Sequence, residues 1–205
     1  MRFGSVPPAA LGIVLAAGAG KRYGYPKALA DNGAWLHRAA TALRAGGCDA
    51  VLVLLGATGP APQTVAIPEG AQPLWVPDWA RGLSASLRTG LATAAKAGAE
   101  YAVIMPVDTP DVGPDTVARV LTAARDTPGG LARAVFHHTP GHPVALSRNH
   151  WAPIYAAAEG DSGARAYLTA HPGLTLVRCD DLATGIDHDY RPRDGSVSRS
   201  VRCRG

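Results

Sequence analysis

Lys21, Arg22 and Lys27 stand in one short stretch of the 205-residue chain, interleaved with Gly18, Gly20 and Gly24. Glycines keep side chains off the backbone, so successive N–H groups can close on an anion. Clustered cations add fixed positive charge at the same place. The chemistry this combination suits is the holding of a polyphosphate. The apolar run Ala10–Leu15 just before it reads as a buried strand that would deliver the bend to a sheet edge. Two familiar phosphate loops do not fit. The dinucleotide fingerprint G-x-G-x-x-G is met at Gly18 and Gly20, but Tyr23 takes its last position and Gly24 comes one residue late. The P-loop fails because Arg22 follows Gly20-Lys21 where a serine or threonine is required, and Leu15 stands where its first glycine belongs.

Asp108 ends the apolar run Tyr101–Val107. Open α/β sheets bind ligands at the carboxyl ends of their strands. A carboxylate there suits Mg2+, which takes one or two carboxylates plus phosphate oxygens. The competing reading is a turn cap before Pro110, and Asp111 reads as a turn residue. Asp187-His188-Asp189 forms a D-x-D triplet. Ser84 and Ser86 open a helix after Asp78–Gly82, where small and hydroxyl residues would leave amides free for an anion or a ribose. Ser84 reads equally as a plain cap, and Trp79 as a base-stacking or a core residue. His137, His138, His150 and His171 have no zinc-ligand spacing. No Gly-x-Ser-x-Gly surrounds any serine, which excludes that hydrolase signature.

The elements that must carry these residues alternate. Strands are expected over 10–17, 50–55, 74–76, 101–107, 131–136, 143–146 and 174–178. Helices are expected over 34–45, 83–97, 115–125, 149–158 and 163–170, with Pro114 as a first-turn proline and Asp161 or Ser162 capping the last helix. Such alternation predicts βαβ units and a mostly parallel sheet.

The formal charge of +4 misleads, because residues 191–205 hold five arginines and one acid, while the first 190 residues carry 15 basic and 15 acidic groups. The body is neutral, so no basic nucleic-acid face is expected on it. We read 1–190 as the working domain and 191–205 as a basic, disordered tail. Cys48, Cys179 and Cys203 are odd in number and widely spaced, which argues against a disulfide framework and for a reducing cytoplasm. Pro7 and Pro8 interrupt the signal-like start, and no apolar run reaches a membrane span.

The pattern L-A-A-G-x-G-x-R-x-G-x-P-K over Leu15–Lys27 resembles the signature of MobA-like nucleotidyltransferases, the family of the molybdenum-cofactor cytidylyl- and guanylyltransferases. Other segments resemble it in the same order: Trp79-x-x-Gly82-x-x-x-Ser86-Leu87, Pro106-Val-Asp-Thr-Pro110, Gly141-His142-Pro143, Gly160–Arg165 and Gly185–His188. The resemblance implies a three-layer α/β/α sandwich of the Rossmann-like nucleotidyltransferase type. It implies that an acceptor phosphate attacks the α-phosphate of an NTP and that pyrophosphate leaves. By the same resemblance Leu15, Ala16, Ala17, Gly18, Gly20, Arg22, Lys27, Ser84 and Ser86 bind the nucleotide, and Arg22, Lys27 and Asp108 are catalytic. His142, Gly163 and Arg165 face the acceptor, and Asp108 and Asp187 hold Mg2+. The chain departs from the family's Thr-Pro-Glu-Asp after Asp187, with His188-Asp189-Tyr190 instead, which leaves Asp189 as a rival metal ligand.

L-A-A-G favours CTP over GTP, whereas Asp108-Thr-Pro looks more like the guanylyl members. The expected acceptor is molybdenum cofactor, with a molybdoenzyme as downstream partner. Three alternatives stay open: a sugar-phosphate nucleotidyltransferase, a D-x-D sugar-nucleotide glycosyltransferase, and a nucleotide-binding regulator without catalysis.

Overall fold

A computed structural model describes residues 7–60 and 64–191. The basic tail beyond Arg191 lies outside them. In chain order the elements are β1 (Ala10–Ala16), α1 (Ala34–Ala45), β2 (Ala50–Leu55), β3 (Ala71–Trp75), α2 (Leu83–Lys96), β4 (Tyr101–Pro106), α3 (Pro114–Asp126), β5 (Leu131–Phe136), β6 (Thr139–Ser147), α4 (Trp151–Ala157), α5 (Arg165–Ala170) and β7 (Thr175–Arg178). One seven-stranded sheet runs β3-β2-β1-β4-β6-β5-β7. Every neighbouring pair is parallel except those made by β6.

The central strands are apolar on both faces because helices cover both. Leu36, Ala39, Ala40 and Leu43 of α1 and Val117, Val120, Leu121 and Ala124 of α3 recur at helical spacing and share one buried cluster with Val14, Val53 and Val103. On the opposite face Leu87 and Leu91 of α2, Ile154 of α4 and Leu168 of α5 pack with Leu11, Ile13, Leu52 and Ile104. Each such leucine contributes about 1.5–3 kcal/mol by leaving water. The layers are therefore helix, sheet, helix, as the fold class anticipated.

Three local expectations need correcting. The third strand covers Ala71–Trp75, not 74–76, because it pairs in register with Val51–Leu55. The strand after the histidine turn is Thr139–Ser147 rather than 143–146, and the connecting turn is only His137-His138, both at positive φ. The last helix starts at Arg165, with Ala164 at its cap and no capping side chain. Ser162 instead turns its hydroxyl to the Glu159 carbonyl at 2.7 Å. No helix among the described residues is long and apolar enough to cross a membrane.

Consecutive βαβ units diverge from β1: the chain steps to β2 on one side and later returns to β4 on the other. The carboxyl ends of β1 and β4 thus flank the point where strand order reverses, which is where open sheets leave a crevice. The glycine loop leaves β1 there and Asp108 leaves β4.

Candidate active site

Gly20 sits at φ 60°, and a Cβ on it would lie 1.9 Å from the Tyr25 carbonyl oxygen. The loop folds back through a hydrogen bond from the Gly24 amide to the Gly20 carbonyl at 2.7 Å. Tyr23 is buried beneath it, with ring centroids 5.2 Å from Tyr25 and 5.3 Å from Trp35. Among the described residues the amides of Gly18, Ala19, Gly20 and Lys21 donate to nothing. They form a run of unclaimed donors at the crevice. Gly20→Ala is therefore expected to displace the Tyr25 peptide and to weaken nucleotide binding by about tenfold or more, while the melting transition shifts by only a few degrees. Calorimetric binding and thermal unfolding of the variant check both.

Lys27 is the hinge of the charge network. Its Nζ donates to Asp108 Oδ2 at 2.7 Å and to Asp189 Oδ1 at 2.9 Å, with only 12% of the side chain exposed. Burial alone would lower the Lys27 pKa, but the hydrogen bonds it donates to Asp108 and Asp189 outweigh it and hold the ammonium above its ordinary value. Arg22, two-thirds exposed, donates to Asp189 Oδ2 at 2.9 Å. The bonds from Lys27 hold the Asp189 carboxyl below the usual range despite some desolvation, and the charge of Arg22 adds to this. The His188 amide donates to the Asp108 carbonyl at 3.0 Å, so residues 187–189 are laid directly on the end of β4.

Asp187 lies at the mouth of this crevice. Desolvation leads, ahead of repulsion from Asp108 and Asp189, in pushing its carboxyl above the ordinary range. Lys27 and Arg133 pull the other way without reversing it. No hydrogen bond reaches its carboxylate among the described residues. A carboxylate in that state, beside a second one, is relieved by a cation. The donors are all oxygen, which suits Mg2+ or a related hard ion. Among the described residues no group of three or more His, Cys, Asp or Glu could hold a metal alone, so an ion here would lean on phosphate oxygens for its remaining ligands.

On the far side, β5 and β6 bring Arg133 and His142 to the same rim. Arg133 donates through Nε to the Gly141 carbonyl at 2.9 Å and through Nη2 to the Pro140 carbonyl at 3.2 Å. Burial first, then the neighbouring Arg165, lowers its pKa, and Asp187 opposes them. Arg165 itself makes no ion pair or hydrogen bond with its side chain among the described residues. Burial, with the charge of Arg133 behind it, pushes His142 down to about 4 even though Asp108 pulls it up. His142 is therefore neutral at neutral pH.

The structure thus brings Arg22, Lys27, Asp108, Asp187, Asp189 and His142 to one crevice with Leu15, Ala16, Ala17, Gly18 and Gly20. It corrects the expectation for the start of α2. The amides there are not free: Ser84 N–H donates to the Gly160 carbonyl at 2.9 Å and Leu83 N–H to Asp161 Oδ1 at 3.3 Å. Ser84 and Ser86 are buried. Asp161 thus supplies the anion at that helix end, not a cap for α5. Gly163 is buried against Leu83, whose Cδ2 would lie 2.9 Å from an added Cβ. Trp79 packs beside Gly56, where a Cβ would lie 2.5 Å from that of Trp79 and 2.6 Å from the Ala17 carbonyl. Arg133 is a charge at this rim that none of the sequence motifs marks. The signal was there: it is the one charge in the otherwise apolar run Leu131–Phe136. A cavity of about 680 Å3 lined by Asp31, His37, Arg38, Val112 and Pro114 opens elsewhere, between the starts of α1 and α3. None of the anticipated site residues lines it.

Comparison with known proteins follows the same line. Nicotine blue oxidoreductase of Paenarthrobacter nicotinovorans is 33% identical over 196 residues, covering 89% of this chain and 93% of that protein. The crystal structure of Rv0371c from Mycobacterium tuberculosis H37Rv superposes with a TM-score of 0.74 at 27% identity, over 89% of this chain and 93% of that one. A nucleotidyl transferase from Methanothermobacter shares the fold at a TM-score of 0.69 and 19% identity, over 89% and 92% of the two chains. The model of the MobA-like NTP transferase domain matches residues 12–175, from within β1 to the start of β7. The chain belongs to the MobA-like NTP transferase domain family.

Proposed function

We propose that the protein transfers a nucleoside monophosphate, CMP in preference to GMP, from its triphosphate to a phosphate-bearing acceptor, molybdenum cofactor foremost. The observation that carries the reading is Lys27, buried and bonded to Asp108 beside a run of unclaimed loop amides. An acceptor phosphate oxygen attacks the α-phosphorus, the bond to the β-phosphate oxygen breaks, and pyrophosphate leaves. The attacking phosphate is already ionised, so no general base is needed. Loop amides, Arg22 and Lys27 meet the charge that builds on the α-phosphate and the leaving group, in a crevice where such groups are preorganised. Asp108 and Asp187 would hold Mg2+, which when bound neutralises phosphate charge and polarises the phosphorus. Arg165 and Arg133 would draw the acceptor's anionic end toward neutral His142.

The preference for CTP rests on the resemblance of L-A-A-G to the CTP users, where the methyl of Ala17 would narrow the bend against a purine. A second reading is favoured by the 33% identical oxidoreductase. A redox enzyme on this crevice would seat the pyrophosphate of a dinucleotide electron carrier on the same loop. Pyrophosphate release from Mg-CTP and Mg-GTP with molybdopterin and sugar-phosphate acceptors, run beside titrations with NADH and NADPH, separates the readings. Release with CTP and molybdenum-loaded acceptor is expected. Tight dinucleotide binding without release from any acceptor contradicts the transferase reading.

A further inference from the structure

The segment that departs from the family pattern, His188-Asp189-Tyr190, does something specific. Its ends are anchored independently of Asp189. His188 donates its amide to the Asp108 carbonyl at 3.0 Å, and its ring packs at a tilt of 55° against Trp35, with centroids 5.3 Å apart. Arg191 lies over the Tyr25 ring at 4.5 Å. Between these anchors the Asp189 carboxylate places one oxygen on Arg22 and the other on Lys27, each at 2.9 Å. These two cations are the ones that face the crevice from the glycine loop, and a carboxylate bridging them has the charge and oxygen spacing of part of a phosphate. We infer that Asp189 is an internal stand-in for phosphate. It holds Arg22 and Lys27 extended while the crevice is free, and it is exchanged out by the incoming polyphosphate.

The inference rests on the reading that this loop seats phosphates. It adds that the chain competes with its own ligand through a positioning residue. The exchange needs only a side-chain rotation, because the anchors at His188 and Arg191 do not depend on it. Removing the carboxylate removes the competitor. The pairs are partly exposed, so the gain is modest, about three- to tenfold in affinity.

The probe is inorganic pyrophosphate with chelator present, titrated calorimetrically into wild type, Asp189→Asn and Asp189→Glu. Asp189→Asn is expected to bind about three- to tenfold more tightly, with Asp189→Glu returning toward wild type. In isotope-labelled wild type, the Asp189 carboxyl carbon resonance is expected to shift on pyrophosphate addition while the Trp35 indole resonance does not. Equal or weaker binding by a folded Asp189→Asn overturns the inference alone. An unmoved Asp189 resonance at saturation does the same and needs no variant. Pyrophosphate that binds none of the three proteins overturns the phosphate cradle itself.

Discussion

Replacing Lys27 by methionine is expected to slow pyrophosphate release by roughly 10²–10³-fold, the range for losing one preorganised group at a developing anion. The stem of Lys27 is enclosed and methionine fills much of the same space, so the fold should survive. The lost part is the ammonium. Burial works against its charge, yet the hydrogen bonds it donates to Asp108 and Asp189 hold it protonated. It is therefore a cation held between two carboxylates. Lys27→Arg should rescue poorly, because a planar fork cannot occupy the point between Asp108 Oδ2 and Asp189 Oδ1 that one nitrogen fills at 2.7 and 2.9 Å. Single-turnover rates with saturating nucleotide check the effect on chemistry, and a melting curve checks the fold.

Asp108→Asn is expected to be as severe, on the order of 10²–10³-fold in rate. The substitution keeps shape and removes one charge. Lys27 loses its closest partner and the crevice loses a carboxylate that, with Asp187, could hold a divalent ion. Activity should recover in part at high Mn2+ if the defect is in metal binding. The pattern across positions also separates mechanisms. A nucleotidyl transfer centred on β1 and β4 loses activity at Asp108 more than at Asp189. A D-x-D glycosyltransferase would survive Asp108→Ala and be lost with Asp187→Ala.

What could be read in the sequence was what local chemistry encodes. Ala34–Ala45 and Leu131–Phe136 were anticipated to the residue because their apolar spacing is set by their own helix or strand. The glycine loop was legible because Gly20 has to be glycine: its neighbour Tyr25 is five residues away. The rest depended on distant partners. Asp189 meets Arg22 across 167 positions, and nothing local distinguishes it from Asp187. The start of α2 looked open because its real occupants, Gly160 and Asp161, arrive from far along the chain. Arg133 escaped notice because a charge inside a strand gains meaning only when the sheet order brings it to the same rim as the loop.

The central claim is that one crevice grips a metal-bound triphosphate between the β1 loop and the acid after β4. Its most direct test is a crystal grown with Mn2+ and a non-hydrolysable CTP analogue, read by anomalous scattering. The account predicts a manganese peak held by Asp108 and Asp187, with phosphate oxygens on the amides of Gly18–Lys21 and on Lys27. A nucleotide lodged in the cavity between α1 and α3, or manganese away from both carboxylates, would contradict it.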